Sequence, residues 1–131
     1  MSNIPDDLRY TKSHEWVRTL PNGHWEIGIT DHAQGALGDL VFIDLPQAGR
    51  KVRAGEACAV VESVKAASDI YSPVDGSIVT ANPALAGEPE TTNREPYAAG
   101  WLMVIAPSAG GGTEPLMNAA EYGAFLAAEA H

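Results

Sequence analysis

The chain has 131 residues, enough for one compact domain with its own core and too few for two of ordinary size. Its formal charge is -9, with 17 Asp and Glu against 8 Lys and Arg that nowhere cluster, which argues against nucleic acid and anionic lipid and favours basic protein faces as partners. Cys58 is the single cysteine, so no internal disulfide can form and a cytoplasmic compartment is expected; in its apolar run it reads as a small buried hydrophobe. No apolar run approaches the length of a membrane span, and the acidic opening through Asp6 and Asp7 is unlike a leader.

In chain order, residues 1–9 hold Pro5 and two aspartates without apolar periodicity and read as an extended arm ahead of a β sandwich over 10–107. His24-Trp25-Glu26-Ile27-Gly28-Ile29 alternates in polarity after the turn dipeptide Asn22-Gly23, closing a hairpin onto the run through Trp16 and Val17. Asp31 and Gln34 have capping-box spacing and open a short helix over 31–37 that Gly38 can end. Leu40 to Leu45 returns to strand character until Pro46. Val52, Ala57 to Val64, Ile70-Tyr71 and Ser77 to Thr80 follow as short strands broken by Gly49, Gly55, Pro73 and Gly76, the punctuation of an all-β barrel or sandwich.

Asp39-Leu40-Val41-Phe42 before Pro46 and Gly49 is echoed, with a one-residue slip, by Gly76-Ser77-Ile78-Val79 before Pro83 and Gly87, which fits a duplicated β unit. Residues 81–99 are rich in Pro, Gly, Asn, Glu and Thr and read as a long surface loop before a buried strand from Trp101 to Ile105. Gly110-Gly111-Gly112 reads as a flexible connector to a C-terminal helical segment over 113–130. Asn118 and Glu121 can cap it, and Tyr122, Phe125 and Leu126 share one face.

Lys65 is the only basic residue between Arg53 and Arg94, and it stands between two strand-like runs. A hairpin tip there would expose one amine while the paired strands fix its position, which suits a lysine offered to a modifying enzyme. The bland alternative is an ordinary solvated lysine. A Schiff-base nucleophile would need a desolvated pocket or a cationic neighbour, whereas the nearest charges in sequence are Glu62 and Asp69. His14, His24, His32 and His131 are scattered without metal-ligand spacing, so no metal site is expected. Serine-hydrolase and phosphate-loop motifs are absent, so no catalytic residue is assigned.

Gly55-Glu56, the strand to Glu62, Ser63-Val64-Lys65-Ala66, and Ile70-Tyr71-Ser72-Pro73-Val74-Asp75-Gly76 together resemble the lipoyl-lysine hairpin of the glycine cleavage H-protein family. The resemblance extends from Tyr10-Thr11-Lys12-Ser13-His14-Glu15-Trp16-Val17 through Gly28-Ile29-Thr30-Asp31-His32-Ala33-Gln34 to Pro96-Tyr97-Ala98-Ala99-Gly100-Trp101. Biotin carriers usually flank the lysine with methionines and 2-oxoacid dehydrogenase lipoyl domains place Asp before it, where this chain has Val64 and Ala66. The family often has Gly after Pro-Tyr, where this chain has Ala98, which puts that loop's conformation in question.

The resemblance implies a mainly β fold, a lipoyl/biotinyl-type barrel-sandwich hybrid, in one domain over 1–131. It implies a non-catalytic carrier with lipoate attached to Lys65, and a monomer is expected because a shuttle gains nothing evident from self-association. The arm would shuttle an aminomethyl group from a pyridoxal-phosphate glycine decarboxylase to a tetrahydrofolate-dependent aminomethyltransferase. Dihydrolipoamide dehydrogenase would then reoxidise it, and a lipoate-attaching enzyme would load it. Ser13, Glu15 and Asp69 would line a cleft that shelters the loaded arm and holds its cationic amine by charge-assisted hydrogen bonds. A lipoyl relay that supplies lipoate to other proteins is the alternative within the same chemistry.

Overall fold

Short strands with alternating apolar residues, broken by Gly and Pro, need a second layer to cover their apolar faces. They find it in two packed antiparallel sheets, in a computed structural model that describes residues 3–129. The larger sheet holds β1 (Arg9–Tyr10), β2 (Glu15–Thr19), β3 (Trp25–Ile29), β5 (Lys51–Val52), β8 (Gly76–Ala81) and β9 (Met103–Pro107) in the order β1-β2-β3-β9-β8-β5. The smaller holds β4 (Leu40–Asp44), β6 (Ala57–Ser63) and β7 (Ala67–Tyr71) in the order β4-β6-β7. Three helices, α1 (Asp31–Leu37), α2 (Thr91–Arg94) and α3 (Ala119–Glu129), lie outside the sheets. The expected mainly β sandwich with its short and its C-terminal helix is what forms.

The core lies between the sheets. Val17, Ile27, Ile29, Ile78, Met103 and Ile105 from the larger sheet meet Leu40, Ile43, Cys58, Val61 and Ile70 from the smaller. Cys58 is buried with its thiol against Met103 Sδ at 3.7 Å, and burial raises its pKa to about 11, so it behaves as the predicted hydrophobe. The two copies of the internal echo become β4 and β8, one in each sheet. Their structural correspondence is shifted by one residue: Leu40 and Ile78 are buried, and Val41 and Val79 follow as exposed residues at register irregularities.

Strand alternation sends Trp16 to the opposite face from Val17, into a second cluster with Leu8, Tyr10 and Tyr122. The Tyr10 and Tyr122 rings stack with centroids 4.6 Å apart. Trp16 donates through Nε1 to Pro96 O at 2.8 Å, and its indole occupies the place a side chain on Gly28 would take, with ring atoms 2.5 Å from a built Cβ. Residues 3–9 are not the simple arm expected of 1–9: Leu8 has no exposed surface, Tyr10 donates to Pro5 O at 2.5 Å, and Asn3 N donates to Asp31 at 2.8 Å, while residues 1 and 2 lie outside the described residues.

Other boundaries move for local reasons. Thr30, one residue before Asp31, is the N-cap of α1, its Oγ1 accepting from Ala33 N at 3.2 Å, while Gln34 reaches back to Asp31. Residues 81–99 are not a plain loop, since Pro83–Ala86 forms a 3-10 turn, α2 follows, and Leu85, Thr91 and Thr92 are buried. Ala98 keeps a negative φ and fits without strain. The glycine connector is pinned by Asp75, whose carboxylate accepts from Ala54 N at 2.7 Å and Gly112 N at 3.0 Å. Helical structure starts at Ala119 rather than 113, behind the expected reciprocal cap of Asn118 and Glu121 at 2.8 and 2.9 Å. Residue 130 lies outside the described residues.

Candidate functional site: the lysine hairpin and the edge of the small sheet

β6 and β7 pair out to Glu62 with Ala67, and Ser63 N donates to Ala66 O at 2.7 Å to close the turn, so Lys65 sits at the tip of a hairpin as expected. Neither Val64 nor Lys65 has a positive φ, so this is not the primed turn that demands Gly or Asn, and a β-branched valine fits. The Ser63 hydroxyl organises the corner instead, accepting from Lys65 N at 3.3 Å and Ala66 N at 3.1 Å. Lys65 is exposed, and Val64 beside it is 73% exposed.

The tip is braced from below. Val64 N donates to Asp39 O at 3.2 Å, and a Cβ on Gly38 would lie 3.4 Å from Lys65 Cε, so the lysine stem crosses the glycine that ends α1. Gly38 has φ 83, which a side chain would strain. Asn93 of α2 accepts from Leu40 N at 2.9 Å and donates to Gly38 O at 2.9 Å and Gln34 Oε1 at 3.0 Å. Asn93 was hidden inside the segment taken for a loop. The signal available was a Thr-Thr-Asn-Arg run with helix-terminal character, too short to carry apolar periodicity.

β7 is one of the two outer strands of the small sheet, and it runs from the lysine tip toward β2 of the large one. Tyr71, about 13 Å along the strand from Ala67, donates its N–H from that edge to Glu15 Oε2 at 3.2 Å. Glu15 is only 1% exposed; its Oε1 accepts from Thr11 at 2.5 Å and Ser13 at 2.6 Å. Burial pushes the Glu15 pKa above its ordinary value, while the bonds from Ser13, Thr11 and Tyr71 act in the opposite sense. Every buried polar side-chain atom among the described residues has a partner.

Of the four residues singled out in the sequence, Ser13 and Glu15 are brought together by a direct hydrogen bond. Ser13 is exposed and lines a cavity of about 120 Å³ with Thr11, Lys12, Glu114 and Pro115. Asp69 is exposed on β7 and lines a different hollow, with Asp44, Arg50 and Ala57 to Val60. It shares a strand face with Tyr71 and stands between the lysine tip and Glu15 along that edge. Tyr97 and Trp101 pack against the second cluster.

Comparison with known proteins gives a consistent result. Residues 8–129 match the family model described as glycine cleavage H-protein. The glycine cleavage system H protein of Azoarcus sp. is 55% identical over 127 residues, covering 97% of this chain and 99% of that one. The H protein of Halorhodospira halophila is 52% identical over 129 residues, with 98% and 99% covered. A crystal structure of a glycine cleavage system H protein from Mycobacterium marinum superposes with a TM-score of 0.88 at 42% identity, covering 95% of this chain and 99% of that one. With a full-length sequence match and the same fold, this chain belongs to the glycine cleavage H-protein family.

Proposed function

We propose that this chain is the lipoyl carrier of a glycine cleavage system and that Lys65 is its attachment point. The observation that carries this reading is the exposed Lys65 at the tip of a braced two-strand hairpin. Such a tip offers the ammonium group to a lipoate-attaching enzyme without unfolding anything, and the hydroxyl of Ser63 holds the backbone in one presentation. Lipoate in amide linkage supplies a dithiolane that takes up the aminomethyl fragment left by a pyridoxal-phosphate glycine decarboxylase. The chain itself supplies no catalytic group. It docks next on a tetrahydrofolate-dependent aminomethyltransferase, then on dihydrolipoamide dehydrogenase, and its net charge of -9 suits basic faces on several partners in turn.

The edge of β7 gives the loaded arm a place to lie. Asp69 would meet it first, and the Ser13–Glu15 pair beyond Tyr71 would receive its cationic end, since a carboxylate is the strongest acceptor available for an ammonium group. Sheltering the arm in this way slows attack by water between partners, and tethering replaces free diffusion by docking. All the named relatives are H proteins, which favours this reading over a dehydrogenase lipoyl domain or a dedicated lipoyl relay. No helix among the described residues is long and apolar enough to cross a membrane. A cytoplasmic monomer fits a shuttle of this kind.

The test is intact mass followed by peptide mapping after expression with a lipoate ligase and lipoate. One lipoyl increment on the peptide that contains Lys65, absent from Lys65→Arg, is expected. An unmodified chain in the presence of an active ligase would end the carrier reading.

A further inference from the structure

Three residues that the sequence scatters are drawn together beside the second apolar cluster, where His14 meets the rings of Tyr122 and Phe125. His14 lies in the turn between β1 and β2, His32 in the first turn of α1, and Glu129 at the end of α3. One ligand atom from each lies within 4.8 Å of the others. His14 Nε2 stands 3.4 Å from Glu129 Oε1, and the two imidazole centroids are 4.9 Å apart with their planes tilted by 40°. A tetrahedral ion with metal–nitrogen bonds of about 2.0–2.1 Å needs ligand atoms roughly 3.3 Å apart. One edge already has that length, and small side-chain rotations close the rest.

We propose that His14, His32 and Glu129 bind a divalent transition-metal ion of the zinc, cobalt or nickel kind and thereby fasten the end of α3 to the turn that precedes Glu15. This departs from the expectation of no metal site, which rested on sequence spacing alone. Two imidazoles and one carboxylate form a borderline donor set that suits these ions better than calcium or magnesium and leaves a fourth position for water.

Two further observations set this cluster apart from a chance ion pair. The first is a buried support: His14 Nδ1 is 2.8 Å from the Tyr122 hydroxyl, which is 2.8 Å from Thr30 Oγ1, and Tyr122 has no exposed surface. When Nδ1–H donates to Tyr122 and Tyr122 donates to Thr30, the lone pair falls on Nε2, the nitrogen that faces Glu129. Ligating histidines are held in this manner by a partner on their other nitrogen. The second is backbone strain. His14 has φ 71, the one positive value at a non-glycine position among the described residues. That conformation is fixed by His14 N donating to Thr11 O at 3.1 Å and Thr30 N donating to His14 O at 3.0 Å. Such strain persists where the surroundings over-determine the geometry.

The site does not involve Lys65, so it is tested on the unlipoylated, untagged chain, and failure here leaves the carrier reading intact. Cobalt(II) is titrated while its visible absorption is followed, and zinc(II) is then added as competitor. The expected result is a saturable one-to-one spectrum of tetrahedral intensity that zinc abolishes. His32→Gln and Glu129→Gln should each weaken binding by about 10-fold or more, Tyr122→Phe by about 10-fold through the lost support, and His24→Gln not at all. Circular dichroism in chelator checks each variant's fold; Glu129→Gln alters only an exposed side chain and decides the matter if another variant misfolds. A titration without a saturable component, or undiminished affinity in the folded Glu129→Gln chain, overturns the proposal.

Discussion

Two turns in this molecule use the same device to opposite ends. Between β6 and β7, the hydroxyl of Ser63 binds the backbone of Lys65 and Ala66 and leaves the charged side chain free in solvent. Between β1 and β2, the hydroxyls of Thr11 and Ser13 bind a charged side chain and hold it out of solvent. The difference lies in what covers each turn. The exposed lysine tip rests against Gly38 and Asp39, whereas Glu15 sits where β2 meets the edge of β7. Under the proposed function, the first turn would present the tether and the second would receive its loaded end.

The comparison is broken most severely at Trp16, whose burial holds β2 in place beside Glu15. Trp16→Ala should cost about 3–5 kcal/mol in chemical denaturation, because it empties the second cluster and orphans Pro96 O. Lysine acceptance at the distant tip should survive below the lowered melting point. Thr11→Val is the next step down. It removes the 2.5 Å bond to a buried carboxylate and should cost about 1–3 kcal/mol, with the Glu15 pKa displaced further upward. A neutral outcome for Thr11→Val would mean that water reaches Glu15 and that this turn is not the closed one described.

The pH dependence of the Glu15 turn has a definite sign. Its folded-state pKa is raised above the unfolded value, chiefly by burial, so ionisation favours the unfolded chain. The stability it contributes is fully present below the unfolded value of 4.5 and is lost as pH rises through the folded value. Urea midpoints of wild type and Glu15→Gln, compared from neutral pH into the ordinary carboxylate range, should therefore diverge in favour of wild type as pH falls. Parallel curves would show that the carboxylate ionises in the fold as easily as in the open chain.

The lysine hairpin was legible from local sequence, whereas Ser13 and Glu15 came only through the family resemblance and their pairing with Tyr71 was not legible at all, for a physical reason. A hairpin tip is a local object: Lys65 follows one strand run and precedes another, and the residues that shape it, Ser63 to Ala66, are contiguous. Local periodicity also located the sandwich strands and α3. Glu15 depends on Tyr71 from a different sheet, Gly38 and Leu40 depend on Asn93, and His14 meets His32 and Glu129 only through the fold. Pairings over such distances leave no spacing to count. Leu8 between Asp7 and Arg9, and the buried Thr91-Thr92 pair, were missed for the related reason that isolated buried positions have no period.

The smallest expected effect separates presentation from stability. Ser63→Ala removes the hydroxyl that accepts from Lys65 N and Ala66 N, yet the backbone bond from Ser63 N to Ala66 O and the pairing of Glu62 with Ala67 remain. Surface substitutions of this sort change stability by about 0.5 kcal/mol or less, so the denaturation midpoint should barely move. What should change is local: amide exchange at Lys65 and Ala66, followed by NMR, should quicken, and the initial rate of lipoate attachment should fall because a looser tip spends less time in the presented geometry. If both rates match wild type, the serine is incidental and pairing of the two strands alone presents the lysine.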